Sequence, residues 1–218
     1  FGQVRRSLRR PPRRRQSASE AHGVMGNRSS MSLADGNFHN RYALGRKLGQ
    51  GTFGQVRACN LRYGAHEKFV VKIVDVTRDE QDECGIADDA DFTLDSGKVR
   101  DVRHECLMLR RLGESLYCTV LAEVFAAQGM YYLVMERCEC TLLDKLEEMR
   151  CWNHIEMRHI FREMLLGVDH VHSRGIVHRD IKPDNFLYGL DRIVKLSDFG
   201  ASVMLPKQRL QFRNVGAS

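Results

Sequence analysis

The sequence predicts an α+β fold, with an antiparallel β-rich first half and a helical second half. Between residues 42 and 135, short apolar runs with partial alternation are separated by glycine turns, as in strands joined by hairpins. After residue 141, apolar residues recur at helical spacing, most clearly over 155–173. We expect the two halves to be joined by a linker near residues 136–141.

Composition favours a soluble, intracellular chain. Hydrophobic residues make up 43% of the 218 positions and charged residues 28%, which supports a packed core. There is no apolar run of about eighteen residues, so no transmembrane segment is predicted. The seven cysteines are an odd number and lack the paired spacing of zinc ligands, so we expect reduced thiols in the cytoplasm or nucleus.

Residues 1–40 predict a basic disordered tail before a domain over residues 41–218. The tail holds eight arginines and two acidic residues, which accounts for the net charge of +6. Rich in Ser, Gly and Asn, it has too little apolar surface to offset its ordering entropy. The tail could alternatively be a nuclear address, a transit peptide or an arm that binds anionic partners. A further alternative is that the whole protein binds nucleic acid or membranes and the domain is only a passenger.

The first three strands surround a glycine turn. Tyr42–Leu48, Gln55–Cys59 and Phe69–Val74 have strand character, and the first two flank Gly49-Gln50-Gly51-Thr52-Phe53-Gly54. In a dinucleotide-binding fold a helix follows such glycines, whereas here a strand follows. This order favours a hairpin whose backbone amides close over phosphates, although an ordinary glycine-rich hairpin is the alternative.

An acidic loop over residues 78–97 precedes the first long helix. It carries eight acidic residues and one arginine without a calcium-loop register, so we expect a solvated insertion. Asp95 or Ser96 can cap a helix over Lys98–Leu112. Glu105 lies beside the apolar stripe of this helix, where burying a carboxylate is costly without a partner.

Lys72 directly follows the apolar run Phe69–Val71, so its positive charge also requires a partner or access to solvent. A lysine in a buried strand needs an anion nearby. Glu105 is the natural candidate, and a side chain that reaches solvent is the alternative.

The remaining regular elements follow the same signals. Val120–Ala127 and Met130–Met135 predict two strands around a Gln-Gly turn, and Leu142–Met149 and Ile155–Ser173 predict two helices. The apolar stripe of the long helix is expected to be core. Its members are Met157, Ile160, Phe161, Met164, Leu165, Val168 and Val171.

The densest polar chemistry lies in His178–Asn185, followed by Phe186–Tyr188, a second strand Ile193–Leu196, and Asp198-Phe199-Gly200. A carboxylate, an amide and a second carboxylate therefore stand at spacings of five and thirteen residues, with a hairpin between them.

The order of these motifs over residues 42–200 resembles that of the eukaryotic protein kinases: glycine loop, strand lysine, helix glutamate, linker, polar loop and Asp-Phe-Gly. A lysine at the position of Lys182 resembles the pattern of the serine/threonine branch of that family. The resemblance implies a two-lobed fold, with a β-sheet small lobe over about 41–136 and the start of a truncated helical large lobe over about 141–218.

The resemblance also implies a reaction, the transfer of the γ-phosphoryl group of Mg-ATP to protein Ser/Thr hydroxyls. Lys72, paired with Glu105, would hold the α- and β-phosphates. Asp180 would accept or orient the hydroxyl proton, and Lys182 would reach the transferred phosphate. ATP and Mg²⁺ are the expected cofactors, with Asn185 and Asp198 as metal ligands. The expected nucleotide contacts are Leu48, Gly49, Gly51, Thr52, Phe53, Gly54, Val56, Val70, Lys72, Met135, Glu136, Cys138 and Leu187.

Some features depart from the family pattern. Val70 stands where the family usually has alanine, and the acidic insertion lengthens the path from Lys72 to Glu105. The expected Ala-Pro-Glu segment and later large-lobe helices are absent up to Ser218, so we predict an incomplete domain. A nucleotide-binding but inactive scaffold is the alternative function. Ser202 and Ser218 are the only hydroxyl candidates for regulation after Asp198, and nothing in the sequence indicates an oligomeric state.

Overall fold

The computed structural model describes residues 33–34, 36–51, 54–63, 69–78, 93–148 and 153–206. The α+β prediction is confirmed within these ranges, with an antiparallel sheet in the first half and helices and short strands in the second. Most of the predicted tail, residues 79–92 of the predicted insertion, Thr52, Phe53 and residues 207–218 lie outside the described residues.

The first half forms a five-stranded antiparallel sheet in the order β1-β2-β3-β5-β4. Its strands are β1 (Tyr42–Gly51), β2 (Gly54–Leu61), β3 (Phe69–Asp75), β4 (Leu121–Ala127) and β5 (Met130–Glu136). Gln128 and Gly129, with φ of 50° and 74°, join β4 to β5 in a turn that matches the twist of paired strands. All five predicted strands are therefore present.

Four helices are described: α1 (Phe38–Arg41), α2 (Ser96–Leu112), α3 (Leu142–Glu148) and α4 (His154–Ser173). The cap predicted for α2 is Asp95, whose carboxylate accepts the backbone N–H groups of Gly97 and Lys98 at 2.7 and 3.1 Å. Among the described helices, none combines the length and the apolar character needed to cross a membrane.

The second half contains five short strands: β6 (Cys138–Thr141), β7 (Ile176–Val177), β8 (Phe186–Gly189), β9 (Val194–Leu196) and β10 (Val203–Met204). They form a three-stranded sheet in the order β6-β8-β9 and a two-stranded β7-β10 sheet. The predicted linker over 136–141 is corrected here, because Cys138 pairs with Gly189 and Thr141 with Leu187.

The fold begins earlier than the predicted boundary at residue 41. Phe38 is fully buried on one face of the five-stranded sheet, stacked on Tyr132 with ring centroids 4.6 Å apart. The Ala34 N–H donates to the Val124 carbonyl at 2.8 Å. The boundary of the predicted tail is therefore too late, because Ala34 hydrogen-bonds to β4 and Phe38 buries its ring against the sheet.

The second-half core lies between α2, α4 and the β6-β8-β9 sheet. It contains Val171 of α4, with Leu112, Phe186 and Leu196. The prediction that the whole apolar stripe of α4 is core is wrong for two residues. Phe161 and Leu165 are 59% and 54% exposed because the described elements cover only the opposite side of the helix.

Truncating Phe38 tests whether the segment before β1 belongs to the fold. We expect Phe38→Ala to lower the free energy of unfolding by about 3–5 kcal/mol, since it removes a ring from a closed aromatic cluster. Urea denaturation followed by circular dichroism measures it. Tyr63→Ala is the control, because Tyr63 is 94% exposed and its change should stay within about 0.5 kcal/mol. Equal effects of the two variants would contradict the packing described.

Candidate active site

The central contact of the site is an ion pair between β3 and α2. The Lys72 Nζ lies 2.7 and 2.8 Å from the two carboxylate oxygens of Glu105. Their side chains are only 12% and 7% exposed, so neither charge reaches bulk water freely. The structure thus brings the two predicted residues together, and the alternative of a solvent-directed lysine does not hold.

The polar loop organises itself around Asp180. Its Oδ2 accepts hydrogen bonds from Lys182 Nζ and Asn185 Nδ2, both at 2.9 Å. A single 3₁₀ turn, Pro183–Asn185, returns Asn185 to this position, where Nδ2 also donates to the Asp180 carbonyl at 2.7 Å. The hydrogen bonds from Lys182 and Asn185 hold the pKa of the Asp180 carboxyl below its usual range, so it is ionised at neutral pH.

His178 is a buried support beneath this loop. The Asp180 N–H donates to His178 Nδ1 at 3.3 Å, so Nε2 carries the proton and donates to the Ser197 carbonyl at 2.9 Å. Burial lowers the pKa of the imidazole, which favours this neutral form. The ring also meets Phe199 edge-on, with ring centroids 4.9 Å apart.

Asp198 adopts a left-handed backbone conformation, with φ of 60°, which is uncommon outside glycine and often marks functional loops. Its carboxylate is 52% exposed and lies 3.9 Å from Lys72 Nζ. The neighbouring Ser197 donates its N–H and its hydroxyl to the Asn185 carbonyl at 2.8 and 2.9 Å. The polar loop and the Asp-Phe-Gly turn are thereby tied together.

The donor set fits a hard cation that takes oxygen ligands. The amide nitrogen of Asn185 is engaged with Asp180, which leaves the amide oxygen as a ligand atom, and the Asp198 carboxylate is 52% exposed. In the described ranges, no cluster of three or more His, Cys, Asp or Glu side chains could hold a metal. An amide oxygen and a carboxylate are oxygen donors of the kind that Mg²⁺ takes, and Mg²⁺ usually keeps water and phosphate oxygens among its other ligands.

The glycine loop joins β1 to β2. Gly49 pairs with Val56, and Gly51 with Gly54. At Gly54, with φ of 149°, a Cβ atom would collide with the Ile73 carbonyl oxygen of β3. Glycine is needed there because the loop backbone passes directly against β3. Thr52 and Phe53, predicted to lie at the tip of this loop, are outside the described residues.

Three of the residues predicted to enclose the adenine lie on the same sheet face as Lys72. Val56 is the cross-strand partner of Lys72, and Val70 is the partner of Met135. Since residues paired across antiparallel strands share a face, Val56, Val70 and Met135 lie with Lys72, and all three are half-buried.

The other predicted nucleotide contacts come from separate elements. Leu48 on β1 is 40% exposed. Glu136 ends β5, whereas Cys138 and Leu187 lie on β6 and β8 of the second sheet.

A cavity of about 580 Å³ opens beside the ion pair. Gly54 of the glycine loop, Val74 of β3, Glu105 of α2 and Gly200 of the Asp-Phe-Gly turn are among its lining residues. The five residues predicted to enclose adenine are not among them. The cavity therefore lies between the end of β3, α2 and the Asp-Phe-Gly turn, away from the residues predicted to enclose adenine.

Sequence reasoning missed Lys195 on β9. Its side chain is buried and contacts Glu136 at 2.6 Å and Asp191 at 3.1 Å. The signal was available, because Lys195 interrupts the apolar run Ile193–Leu196 as Lys72 ends its own run.

Ser202, named as a hydroxyl candidate for regulation, is fully buried. Its hydroxyl donates to the His178 carbonyl at 3.4 Å. This side chain therefore supports the polar loop from within and is not an open hydroxyl on the surface.

Comparison with known proteins follows the same motifs. The family model described as "Protein kinase domain" matches residues 42–217. The chain is 32% identical over 175 residues to the "hormonally up-regulated neu tumor-associated kinase" of Homo sapiens, covering 78% of this chain and 22% of that protein. It is 31% identical over 171 residues to "CBL-interacting protein kinase 28" of Oryza sativa subsp. japonica, covering 78% of this chain and 35% of that protein. The chain thus spans about a fifth to a third of these relatives.

Burial of neutral His178 predicts a pH-dependent stability. Because the folded pKa is lowered, the unfolded chain binds the proton more readily as the pH falls below about 6.5. We expect the free energy of unfolding to fall from pH 7.5 to 5 more steeply in the wild type than in His178→Gln, which keeps an amide donor but does not titrate. Urea denaturation across this range measures both slopes, and equal slopes would contradict a buried neutral imidazole.

Proposed function

The chain belongs to the eukaryotic protein kinase superfamily, and from that membership we propose that it transfers the γ-phosphoryl group of ATP to Ser/Thr hydroxyls of protein substrates. The observation that carries this proposal is the closed Lys72–Glu105 pair, with Lys72 also 3.9 Å from Asp198. One ammonium group thereby stands between the helix glutamate and the predicted metal carboxylate. The chain covers 35% or less of the length of the relatives named, so the activity of the whole protein is part of this proposal.

Lys72 is proposed to bind the α- and β-phosphates of the nucleotide. Glu105 holds its ammonium group in one place, so a phosphate meets a positioned cation rather than a mobile one. Phosphoryl transfer gives the protein little covalent work, and positioning together with charge neutralisation provides most of the catalysis.

Asp180 is proposed to orient the substrate hydroxyl and accept its proton. The carboxylate is ionised and its Oδ2 is fixed by Lys182 and Asn185. Lys182, which binds Asp180 and is 49% exposed, is proposed to contact the transferred phosphate as negative charge shifts toward the substrate. A lysine at this position supports serine and threonine as acceptors.

Asn185 and Asp198 are proposed to hold Mg²⁺ through the amide oxygen and the carboxylate. When bound, the metal supplies neutralisation of phosphate charge during transfer. The Ser197 hydrogen bonds to the Asn185 carbonyl keep the two ligand-bearing loops in register.

The base of the nucleotide is proposed to lie on the half-buried face formed by Val56, Val70 and Met135, bounded by Leu48 and Leu187. The backbone of Glu136 and Cys138 would meet the adenine edge. The larger Val70, where the family usually has alanine, narrows this site slightly. Gly49, Gly51 and Gly54, with Thr52 and Phe53 between them, would cover the phosphates.

We also propose that the chain consists of a basic arm followed by this domain, and that the protein is intracellular. The arm carries eight arginines and suits anionic partners. Its boundary belongs before Ala34, since Ala34 hydrogen-bonds to Val124 of β4 and Phe38 packs on Tyr132 of β5.

Removing the proposed base tests the reaction. We expect Asp180→Asn to lower phosphate transfer to a serine peptide by about 10²–10⁴-fold, because the amide cannot accept the proton, while Mg-ATP affinity changes little. Radiolabelled transfer and titration calorimetry measure the two quantities. Asp169→Asn, on an exposed position of α4, is the matched control.

Retained transfer in Asp180→Asn would refute the assignment of the base. A wild-type chain that binds Mg-ATP without transferring phosphate to serine, threonine or tyrosine peptides would instead support the inactive scaffold.

Deleting residues 1–33 tests whether the basic arm and the nucleotide site act independently. We expect binding to anionic vesicles or to RNA to be lost, because the arginines are removed, while Mg-ATP affinity stays within about twofold. Co-sedimentation and calorimetry measure these. A deletion of residues 1–41, which also removes Phe38, should reduce stability as well. Loss of Mg-ATP binding in the shorter deletion would contradict an independent arm.

A further inference from the structure

Among the residues that the structure describes, the most heavily buried charge that the proposed reaction leaves unused is Lys195. It lies on β9 with only 5% of its surface exposed. Its ammonium group contacts two carboxylates, Glu136 at 2.6 Å and Asp191 at 3.1 Å. Burial alone lowers the pKa of this ammonium, but the hydrogen bonds and charges of Glu136 and Asp191 outweigh burial and raise it. Lys195 is therefore charged at neutral pH.

The two carboxylates are different kinds of partner. Asp191 belongs to the turn between β8 and β9, so its contact with Lys195 stays within one hairpin. Glu136 ends β5 of the five-stranded sheet, whereas Lys195 lies in the β6-β8-β9 sheet. The Lys195–Glu136 contact thus joins the small-lobe sheet to the hairpin that leads into Asp198.

Glu136 is held on its other side as well. Its Oε1 accepts the Val120 N–H at 3.0 Å, and its own N–H donates to the Val120 carbonyl at 3.2 Å. Side chain and backbone are thereby fixed together where the chain leaves β5. The Glu136 backbone, proposed to meet the adenine edge, is oriented by hydrogen bonds that its side chain completes.

Lys195 also lies next to the expected position of the base. Its cross-strand partner on β8 is Leu187, and paired residues share a face of an antiparallel sheet. Leu187 in turn pairs with Thr141 of β6. The face that carries the proposed floor of the adenine site therefore carries Lys195 as well.

A buried ion pair is weak evidence of a contribution to stability, because desolvation offsets much of the attraction. Its geometry, by contrast, is specific. We propose that Lys195 is a positioning residue for the nucleotide base: by binding Glu136 it fixes the adenine-facing backbone at the end of β5 relative to the floor of the site at Leu187. This proposal rests on the proposed nucleotide binding and adds to it a residue that does not itself touch the nucleotide.

The test compares ligands that have a base with one that lacks it, using the full 218-residue chain. Calorimetry measures the Kd of adenosine, Mg-ATP and Mg-tripolyphosphate for the wild type, Lys195→Met, Glu136→Gln and the double variant. Asp191→Asn is the matched control, because it weakens the second contact of the same lysine without touching the joint between the sheets.

We expect Lys195→Met and Glu136→Gln each to raise the Kd of adenosine by about tenfold or more. The Kd of adenosine for the double variant should be no higher than that of the more impaired single variant, because both changes break the same contact. Asp191→Asn should change the Kd of adenosine by less than about twofold. The Kd of Mg-tripolyphosphate should stay within about twofold in all variants, which general destabilisation would not produce.

Three results would overturn the proposal: unchanged adenosine affinity in folded Lys195→Met, equal loss in Asp191→Asn, or parallel loss of adenosine and tripolyphosphate. If Lys195→Met does not fold, Glu136→Gln decides the question, since glutamine keeps an acceptor for Val120 and removes only the charge. A wild type that binds neither adenosine nor Mg-ATP would refute the proposed function as well. A wild type that binds both, with unaffected variants, refutes the positioning role alone.

Discussion

The ammonium of Lys72, on a side chain that is only 12% exposed, is the constraint on which the rest of the site depends. An unpaired charge at this depth would cost several kcal/mol, so Glu105 must reach it from a helix. That requirement presses α2 against the sheet, where Val102 and Cys106 pack on Val74. The same packing that excludes water from the ion pair also strengthens it, and it places Asp198 within reach of the same lysine.

A second lysine, Lys195 on β9, imposes a similar constraint. Lys195 is as deeply buried as Glu105, and its two carboxylate partners come from different elements. Each lysine interrupts an apolar strand and is neutralised by a residue distant in sequence. Two largely covered lysines thus join α2, the five-stranded sheet and the β8-β9 hairpin into one framework around the candidate site.

Local signals in the sequence were sufficient for most elements. The five strands of the first sheet and the long helices follow apolar periodicity, glycine turns and a capping Asp95. The short elements α1, β6, β7 and β10 were missed because their stability comes from partners far along the chain. Strand β6 exists through its pairing with β8, and Phe38 is ordered by aromatic rings of the sheet.

For the site, the sequence by itself determined the residue types, their order and the need of Lys72 and Glu105 for opposite charges. These are properties of composition and spacing. Only the tertiary structure decided that Asn185 turns back onto Asp180, that Ser202 is buried and that Lys195 binds Glu136. Such contacts depend on which backbone segments become neighbours, and burial then makes each polar group satisfy its hydrogen bonds within the protein.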